Sequence, residues 1–337
     1  MPRGAREPTH HPASEKQSNA SSDDGKASAD VSASPISGVA LQAVGREDVL
    51  LLNLSFQGWV SMTANKISII GGGNLGAAIA RGLVASGRFE PEEISITRRS
   101  QQALAALQQE GFATTTDNVA AIEGASLVVI AVRPKQMDTV LTEISGHLDP
   151  SEQILVSTAS DVQIRDIQQH VDRAIPVIRA MPNIGVAVSE SMTCLACLES
   201  TTPASMDRVR DVFEQLGIVA TIEEAQMTPA TALCACGVAF FLRAIRAASQ
   251  GGVQVGFHAD EAIRLAAQTA KGAAELILAS GQHPESLIDT VTTPLGITIA
   301  GLNEMEHQGF SSALIRGIVL SAERAGGLYP SQKSDPS

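Results

Sequence analysis

One glycine-rich turn constrains this chain more than any other stretch. The β-branched run Ile67-Ser68-Ile69-Ile70 is followed by Gly71-Gly72-Gly73-Asn74-Leu75-Gly76 and then by an alanine-rich segment with helical character. Gly71, Gly73 and Gly76 have G-x-G-x-x-G spacing, which allows a tight turn, close approach of a pyrophosphate, and close helix–strand packing. The alternative is an ordinary glycine loop. The strand before and the helix after are the context that favours a dinucleotide site at a helix N-terminus.

The segments beyond this turn alternate between strands and helices up to about residue 224. Further strands are predicted at Ile94–Thr97, 126–132, Ile154–Ser157 and 175–178, with a helix over 101–110. The continuous apolar run 126–132 is typical of a strand buried on both faces of a parallel sheet. From about residue 225 the strand signals stop, and helices are predicted over 230–249, Ala259–Ser280 and 309–325. The pattern predicts an α/β fold, with an N-terminal Rossmann-type doubly wound sheet over 64–224 and an all-helical domain over 225–327.

The two ends of the chain have a different composition. Residues 1–63 are rich in Ser, Ala, Asp and Pro over much of their length and lack a core pattern, so we expect a disordered tail, and the same holds for 328–337. Met62 lies just before the first strand, so an over-long gene start is one explanation of the tail.

Charge and cysteine content narrow the class of protein. The net charge of -12 argues against nucleic-acid or anionic-membrane partners. We find no apolar run of the ~18 residues that a membrane span needs. Four cysteines in 337 residues are no disulfide framework, which favours a reducing, cytoplasmic location.

The end of the second predicted strand indicates which dinucleotide is bound. An NAD site usually has an acidic residue about 20 positions beyond the glycines. Here the strand ends in Thr97-Arg98-Arg99-Ser100, with no carboxylate. Arg98 and Arg99 suit a 2′-phosphate, so we predict NADPH, with NADH as the alternative. The alternative is that Arg98 and Arg99 belong to a run of solvated surface charges.

Two other strand ends are candidate parts of the cofactor site, because ligands of open α/β sheets bind at the carboxyl ends of the strands. One is Ala131-Val132-Arg133-Pro134-Lys135, whose basic residues could equally be surface charges. The other is Met181-Pro182-Asn183, a candidate floor for the nicotinamide that by spacing alone is only a turn.

The helical part contains one candidate anion site and one apolar stripe. Thr293-Pro294-Leu295-Gly296-Ile297-Thr298 precedes a predicted helix, so its N–H groups and hydroxyls suit a carboxylate, although a capped helix start explains it equally. Ile263 to Ile277 forms a mainly alanine stripe at helical spacing, which favours a core or dimer seam.

The spacing of the cysteines raises the hypothesis of a metal site, but their sequence context argues against it. Cys194 and Cys197 have C-x2-C spacing, but they lie in an apolar, strand-like run, and Cys234 and Cys236 form a poor second pair. We expect small buried side chains and no metal.

Taken together, these stretches resemble the pyrroline-5-carboxylate reductase family over about residues 66–324. The resemblance rests on the glycine turn, on Ala131 to Pro134 and on Arg179 to Asn183. It rests further on Gln268-Thr269 with Gly272-Ala273-Ala274, and on Pro294-x-Gly296-x-Thr298-Ile299-x-Gly301-Leu302.

The resemblance implies an enzyme that reduces the cyclic imine 1-pyrroline-5-carboxylate to L-proline with NAD(P)H, the last step of proline synthesis. It implies that Asn118 and Arg133 line the cofactor site, that Thr298 and the N–H groups around it hold the substrate carboxylate, and that Thr231 lies near the ring. It also implies a helical domain intertwined with that of a partner, with homodimers assembling into a decamer.

Three departures from the family pattern lie near the expected substrate pocket. Cys234 to Phe240 replace a Ser-Gly-Ser-Gly-Pro-Ala-Tyr run, Leu295 replaces a glycine, and Thr158 to Asp161 replace Ile-Ala-Ala-Gly. The alternatives are therefore a reductase of a related cyclic imino acid or of a 3-hydroxy acid, or a non-catalytic nucleotide-binding regulator.

Overall fold

The computed structural model describes residues 66–172 and 174–328, and the structural statements below concern these residues. The predicted tail over 1–63, and all but the first residue of the predicted C-terminal tail, lie outside them.

A single eight-stranded sheet forms the first part of the described chain. Its strands are β1 (Ile67–Ile70), β2 (Ile94–Thr97), β3 (Ala113–Thr115), β4 (Leu127–Ile130), β5 (Ile154–Ser157), β6 (Val177–Met181), β7 (Ser191–Cys197) and β8 (Gly217–Thr221). The spatial order is β3-β2-β1-β4-β5-β6-β7-β8. All neighbouring pairs are parallel except β6 and β7. The doubly wound, mainly parallel sheet predicted from the sequence is confirmed.

Short helices cover the two faces of the sheet, and longer ones follow it. They are α1 (Asn74–Ala85), α2 (Ala105–Gln109), α3 (Asn118–Ile122), α4 (Met137–Ile144), α5 (Ile164–Gln168), α6 (Pro203–Glu214), α7 (Met227–Ala230), α8 (Gly237–Gln254), α9 (Ala259–Ser280), α10 (Pro284–Thr290), α11 (Ile297–His307) and α12 (Phe310–Ala325). A π-helical segment, Thr231–Cys236, joins α7 to α8. After β8 the described residues contain no further strand.

The central strands are buried on both faces, as their apolar runs predict. Ile69 and Val129 belong to a core shared with α1 and α6, whereas Ile70 and Val128 belong to a second core shared with α4 and α5. Because successive side chains of a strand point to opposite faces, each strand contributes to both cores. This packing fixes the strand ends, which carry the candidate site.

One strand differs from its predicted position. The strand predicted over 175–178 instead runs from Val177 to Met181, so Arg179 and Met181 lie within it and not after it. The shift arises because residues Ile178 to Met181 pair with the antiparallel strand β7, which the apolar pattern of β6 alone does not reveal. Arg179 is buried there, and its guanidinium lies 3.2 Å from the Glu224 carboxylate.

One helical segment bears on the question of a membrane span. Among the described residues, the helical segment Glu224–Gln254 is long and apolar enough to cross a membrane by length and composition. No continuous apolar run reveals this helix, because polar residues such as Thr231 and the charged Arg243 interrupt the segment. By itself one such helix is weak evidence of a span, because the core helix of a globular protein meets the same test.

The helical part exposes much apolar surface within the single chain. Only 17% of the apolar window in Glu224–Gln254 is buried, and Phe241 and Leu242 are each 58% exposed. In α9 the predicted stripe faces solvent along much of its length, and Ala262 is the buried residue of that helix. Exposed apolar faces of this extent mark an interaction surface.

Candidate active site

A crevice of about 850 Å³ lies at the carboxyl ends of the central strands. It is lined by the residues that follow β1, β2, β4 and β5, together with residues at the start of α3 and on α4. Strand β1 lies between β2 and β4, so the order in which the chain adds strands reverses direction there. Open α/β sheets bind ligands at such a switch point. The volume suits a large small-molecule ligand.

The three glycines predicted from the motif have different structural surroundings. Gly71 has a φ of +107°, and a Cβ there would lie 2.6 Å from the carbonyl oxygen of Ala131. A Cβ at Gly76 would overlap the carbonyl oxygen of Gly71, so Gly76 serves the packing of α1 on β1 and does not line the crevice. A Cβ at Gly73 would meet no atom within 4 Å, although Gly73 lines the crevice. Space for a ligand therefore remains directly above Gly73.

Positive charge is concentrated in this crevice although the chain as a whole is acidic. Arg98, Arg99, Arg133 and Lys135 line it, against the single carboxylate of Glu143. Arg98 donates a hydrogen bond to the carbonyl of Ala103 at 3.1 Å, which holds its side chain along the end of β2. Four cations beside a glycine turn fit a polyanionic dinucleotide, and the cations at the end of β2 fit a 2′-phosphate.

Asn118 is held in the crevice from both ends of its amide. The Thr97 hydroxyl donates to Asn118 Oδ1 at 2.7 Å, and Asn118 Nδ2 donates to Glu143 Oε2 at 2.8 Å. Glu143 and Thr139 also line the crevice, although neither was predicted from the sequence. Their i, i+4 spacing on α4, beside the buried Val140, is the signal that places them on one helix face.

The predicted cofactor residues divide into two groups. Those that line the crevice are Gly71, Gly73, Asn74, Leu75, Arg98, Arg99, Asn118, Ala131, Val132, Arg133 and Pro134. Gly76, Met181 and Asn183 do not line it. Met181 is buried in a core cluster, and the Asn183 amide donates to the carbonyl of Cys234 at 3.3 Å while its Oδ1 accepts from Gly185 N.

The predicted substrate residues lie apart from the crevice in this single chain. No described residue from Glu224 onwards lines it. Thr293, Leu295, Gly296, Ile297 and Thr298 lie before and at the start of α11, where Thr298 is exposed. Thr231 is buried in the π-helical segment, and its hydroxyl donates to the carbonyl of Met227 at 2.8 Å.

Comparison with known proteins decides the family. Residues 224–328 match the family model for pyrroline-5-carboxylate reductase dimerisation, and residues 66–161 match that for NADP oxidoreductase, coenzyme F420-dependent. Pyrroline-5-carboxylate reductase 2 of Dictyostelium discoideum is 44% identical over 274 residues, covering 77% of this chain and 91% of that protein. The chain belongs to the pyrroline-5-carboxylate reductase family.

Other members of the family agree with this assignment. Pyrroline-5-carboxylate reductase 1 of Dictyostelium discoideum is 46% identical over 282 residues, covering 80% of this chain but 51% of that protein, so the chain spans about half the length of that relative. The solved structure of the Coxiella burnetii enzyme has a TM-score of 0.71 at 29% identity, and the match covers 80% of this chain and all of that one.

Two of the departures from the pyrroline-5-carboxylate reductase pattern replace glycine at positions where glycine is conformationally favoured. Leu295 has a φ of 58° and Asp161 a φ of 64°. Gly296 N donates to the carbonyl of Thr293 at 2.8 Å, so Leu295 occupies the third position of a turn with Pro294 at the second. The positive φ at this third position is that of a type II turn, and it costs a leucine about 1–3 kcal/mol. The Asp161 carboxylate accepts from Gly327 N at 2.7 Å, a bond that glycine does not offer.

The third departure introduces cysteine next to the core of this reductase-family fold. Cys234 and Cys236 lie in the π-helical segment, and Cys194 and Cys197 lie on β7. Cys194 is 4% exposed in a cluster with Met181 and Met227. Among the described residues, no group of three or more His, Cys, Asp or Glu side chains is placed to hold a metal ion.

Proposed function

We propose that this protein reduces 1-pyrroline-5-carboxylate to L-proline with NADPH. The observation that carries the proposal is the cationic crevice above Gly73, at the switch point of the sheet, in a chain of this family. Relatives named pyrroline-5-carboxylate reductase cover most of the described chain at 44–46% identity. NADH is the second dinucleotide that the crevice could accept.

The residues of the crevice bind and orient the dinucleotide. The N–H groups at the start of α1 face the site of the pyrophosphate above Gly73, and Arg98 and Arg99 take the 2′-phosphate. Asn118, held by Thr97 and Glu143, offers a fixed amide to the adenosine half. When bound, NADPH supplies the hydride. Because a protonated cyclic imine is already a good electrophile, positioning and exclusion of water suffice from the protein.

A second copy of the chain completes the site in this proposal. The loop around Thr298 is exposed and lies away from the crevice of its own chain, whereas much of the apolar face of α8 and α9 is uncovered. The match to the dimerisation family model covers these helices. We propose a homodimer built from helical domains over 225–327, with sheet domains over 64–224, and a decamer as the higher assembly. Free Cys194, Cys197, Cys234 and Cys236 favour the cytosol.

An assay of NADPH oxidation tests the proposed reaction. Purified full-length protein is supplied with 1-pyrroline-5-carboxylate, and proline formation is measured with NADPH and with NADH. Preferential turnover of another cyclic imine or of a 3-hydroxy acid would show that this compound, and not pyrroline-5-carboxylate, is the substrate. Tight dinucleotide binding without turnover of any of these would identify a regulator.

Thr298→Val tests the substrate carboxylate site. Valine is nearly isosteric but cannot donate a hydrogen bond, and a hydrogen bond to a charged group is worth about 1.5–3 kcal/mol. We expect kcat/KM for the imino acid to fall on the order of 10- to 100-fold, mainly through KM, with unchanged NADPH affinity. An imine without a carboxylate is the matched control substrate. Equal losses for both imines would show that Thr298 does not bind the anion.

The oligomeric state tests whether a second chain covers the exposed apolar face of α8 and α9. Because large side chains such as Leu276 and Leu278 are more than half exposed in the single chain, we expect at least a dimer at micromolar concentration. Multi-angle light scattering measures the mass, with guanidinium-unfolded chain as the reference for the monomer. A single-chain mass under native conditions would contradict the proposed assembly.

A further inference from the structure

Two cysteine thiols from different elements meet beneath the helical part. Cys194 lies on β7, opposite Met181 of β6, and is almost completely buried. Cys234 lies in the π-helical segment Thr231–Cys236 and is partly exposed. Cys234 packs against the cluster that contains Cys194, Met227 and Ala230, where its sulfur lies within hydrogen-bonding reach of the Cys194 thiol. The two sulfurs are therefore already adjacent in the reduced protein.

The two thiols differ in acidity. The hydrogen bond from Cys194 lowers the pKa of Cys234 to about 7, against the raising effect of burial. The same bond and burial raise the pKa of Cys194. Cys234 therefore has the greater thiolate character at neutral pH, while Cys194 keeps its proton. Cys234, the more exposed of the two, is the nucleophile, and Cys194 is placed behind it to resolve a mixed disulfide.

We propose that Cys194 and Cys234 form a reversible disulfide when the protein meets a low-molecular-weight disulfide such as glutathione disulfide. The Cys234 thiolate attacks one sulfur of glutathione disulfide, the S–S bond breaks, and one glutathione leaves as a thiolate that takes up a proton. Cys194 then loses its proton, its sulfur attacks Cys234, and the second glutathione leaves. Two protein thiols are oxidised and one glutathione disulfide is reduced to two glutathiones, so electrons and protons balance.

The disulfide would act on Asn183 and Thr231, two residues that the sequence predicted to belong to the active site. An S–S bond is about 2.05 Å long, so bond formation draws Cys234 from hydrogen-bonding distance towards β7. The carbonyl of Cys234 accepts the amide hydrogen bond of Asn183, and Thr231 lies in the same π-helical segment. Oxidation therefore displaces the turn that carries Thr231 and strains the Asn183 contact. The effect on activity, unlike the disulfide itself, rests on the proposed function.

Mass spectrometry and thiol mapping test the disulfide without reference to activity. Full-length protein is incubated with glutathione disulfide, alkylated under denaturing conditions and digested. We expect the wild type to lose two thiols, to become two hydrogens lighter and to yield a peptide pair linking Cys194 and Cys234, all reversed by dithiothreitol. Cys236→Ser and Cys197→Ala are matched controls that keep the pair, so both should form the same link.

The single variants separate the two roles. Cys194→Ala should accumulate a mixed disulfide with one glutathione on Cys234, and Cys234→Ser should form neither the link nor the mixed disulfide. If the wild type retains all four thiols, or if the link joins any other pair, the proposal is overturned. Should the link form while NADPH-dependent turnover is unchanged, the pair is a redox site without control of activity. Absence of turnover before oxidation would count against the proposed function and not against the disulfide.

Discussion

Alanine at both Arg98 and Arg99 is expected to abolish the preference for NADPH over NADH. Both side chains line the crevice at the end of β2, where no carboxylate is available for a ribose hydroxyl. Each hydrogen bond to the 2′-phosphate is charge-assisted and worth about 1.5–3 kcal/mol, so each arginine contributes on the order of 10- to 100-fold in NADPH affinity. NADH, which lacks the phosphate, should bind the variant and the wild type almost equally.

Fluorescence titration with both dinucleotides measures this preference. Arg88→Ala is the matched control, because Arg88 is an exposed arginine that lies 3.8 Å from Asp211 and outside the crevice. The control should retain the wild-type preference. The assignment of Arg98 and Arg99 fails if the double variant still discriminates, or if the wild type binds NADPH and NADH equally.

Alanine at Gly73 is expected to weaken NADPH binding while leaving the fold intact. The new methyl group would meet no atom of the chain within 4 Å, and the φ of -73° is compatible with any residue. It would occupy the space above the turn where the pyrophosphate approaches, so hydrogen bonds to the phosphates lengthen or break. We expect a loss of at least 10-fold in affinity with a change of less than about 1 kcal/mol in the free energy of unfolding.

Two other glycines provide the comparison. Gly76→Ala places a methyl group against the backbone of Gly71, so it should lower the free energy of unfolding by about 1–3 kcal/mol. Gly146→Ala, which also meets no atom within 4 Å but lies outside the crevice, should change neither quantity. Calorimetric binding and thermal unfolding measure both effects. A Gly73→Ala variant with wild-type affinity for NADPH would show that the pyrophosphate does not bind at this turn.

Local patterns predicted several elements to the residue. Strand β2 has the predicted bounds because Ile94 and Ile96 alternate with Ser95 and end at a charged turn. Helix α9 begins and ends as predicted, since Asp260 and Glu261 favour its first turn and Gly281, with a φ of 62°, terminates it. Such signals act within a few residues of each other, so no tertiary information was required.

Elements that depend on distant partners were not predicted. Strands β3 and β8 are short and largely half-exposed, so they lack an apolar run of their own and form by pairing with β2 and β7. The position of β6 depends on its antiparallel neighbour. Glu143 lines the crevice because α4 packs on the core that β4 shares, which brings the Glu143 carboxylate to the amide of Asn118.

The sequence by itself determined the Rossmann-type sheet, the glycine turn and the cationic end of β2, because each depends on residue types at short spacing. Tertiary structure decided which residues share a site. It placed Met181 in a core and Asn183 against Cys234, and it joined Cys194 to Cys234 across 40 positions of sequence. It also left Thr298 exposed, away from the crevice of its own chain. Proximity between distant positions follows from how the packed elements meet, and no local pattern encodes it.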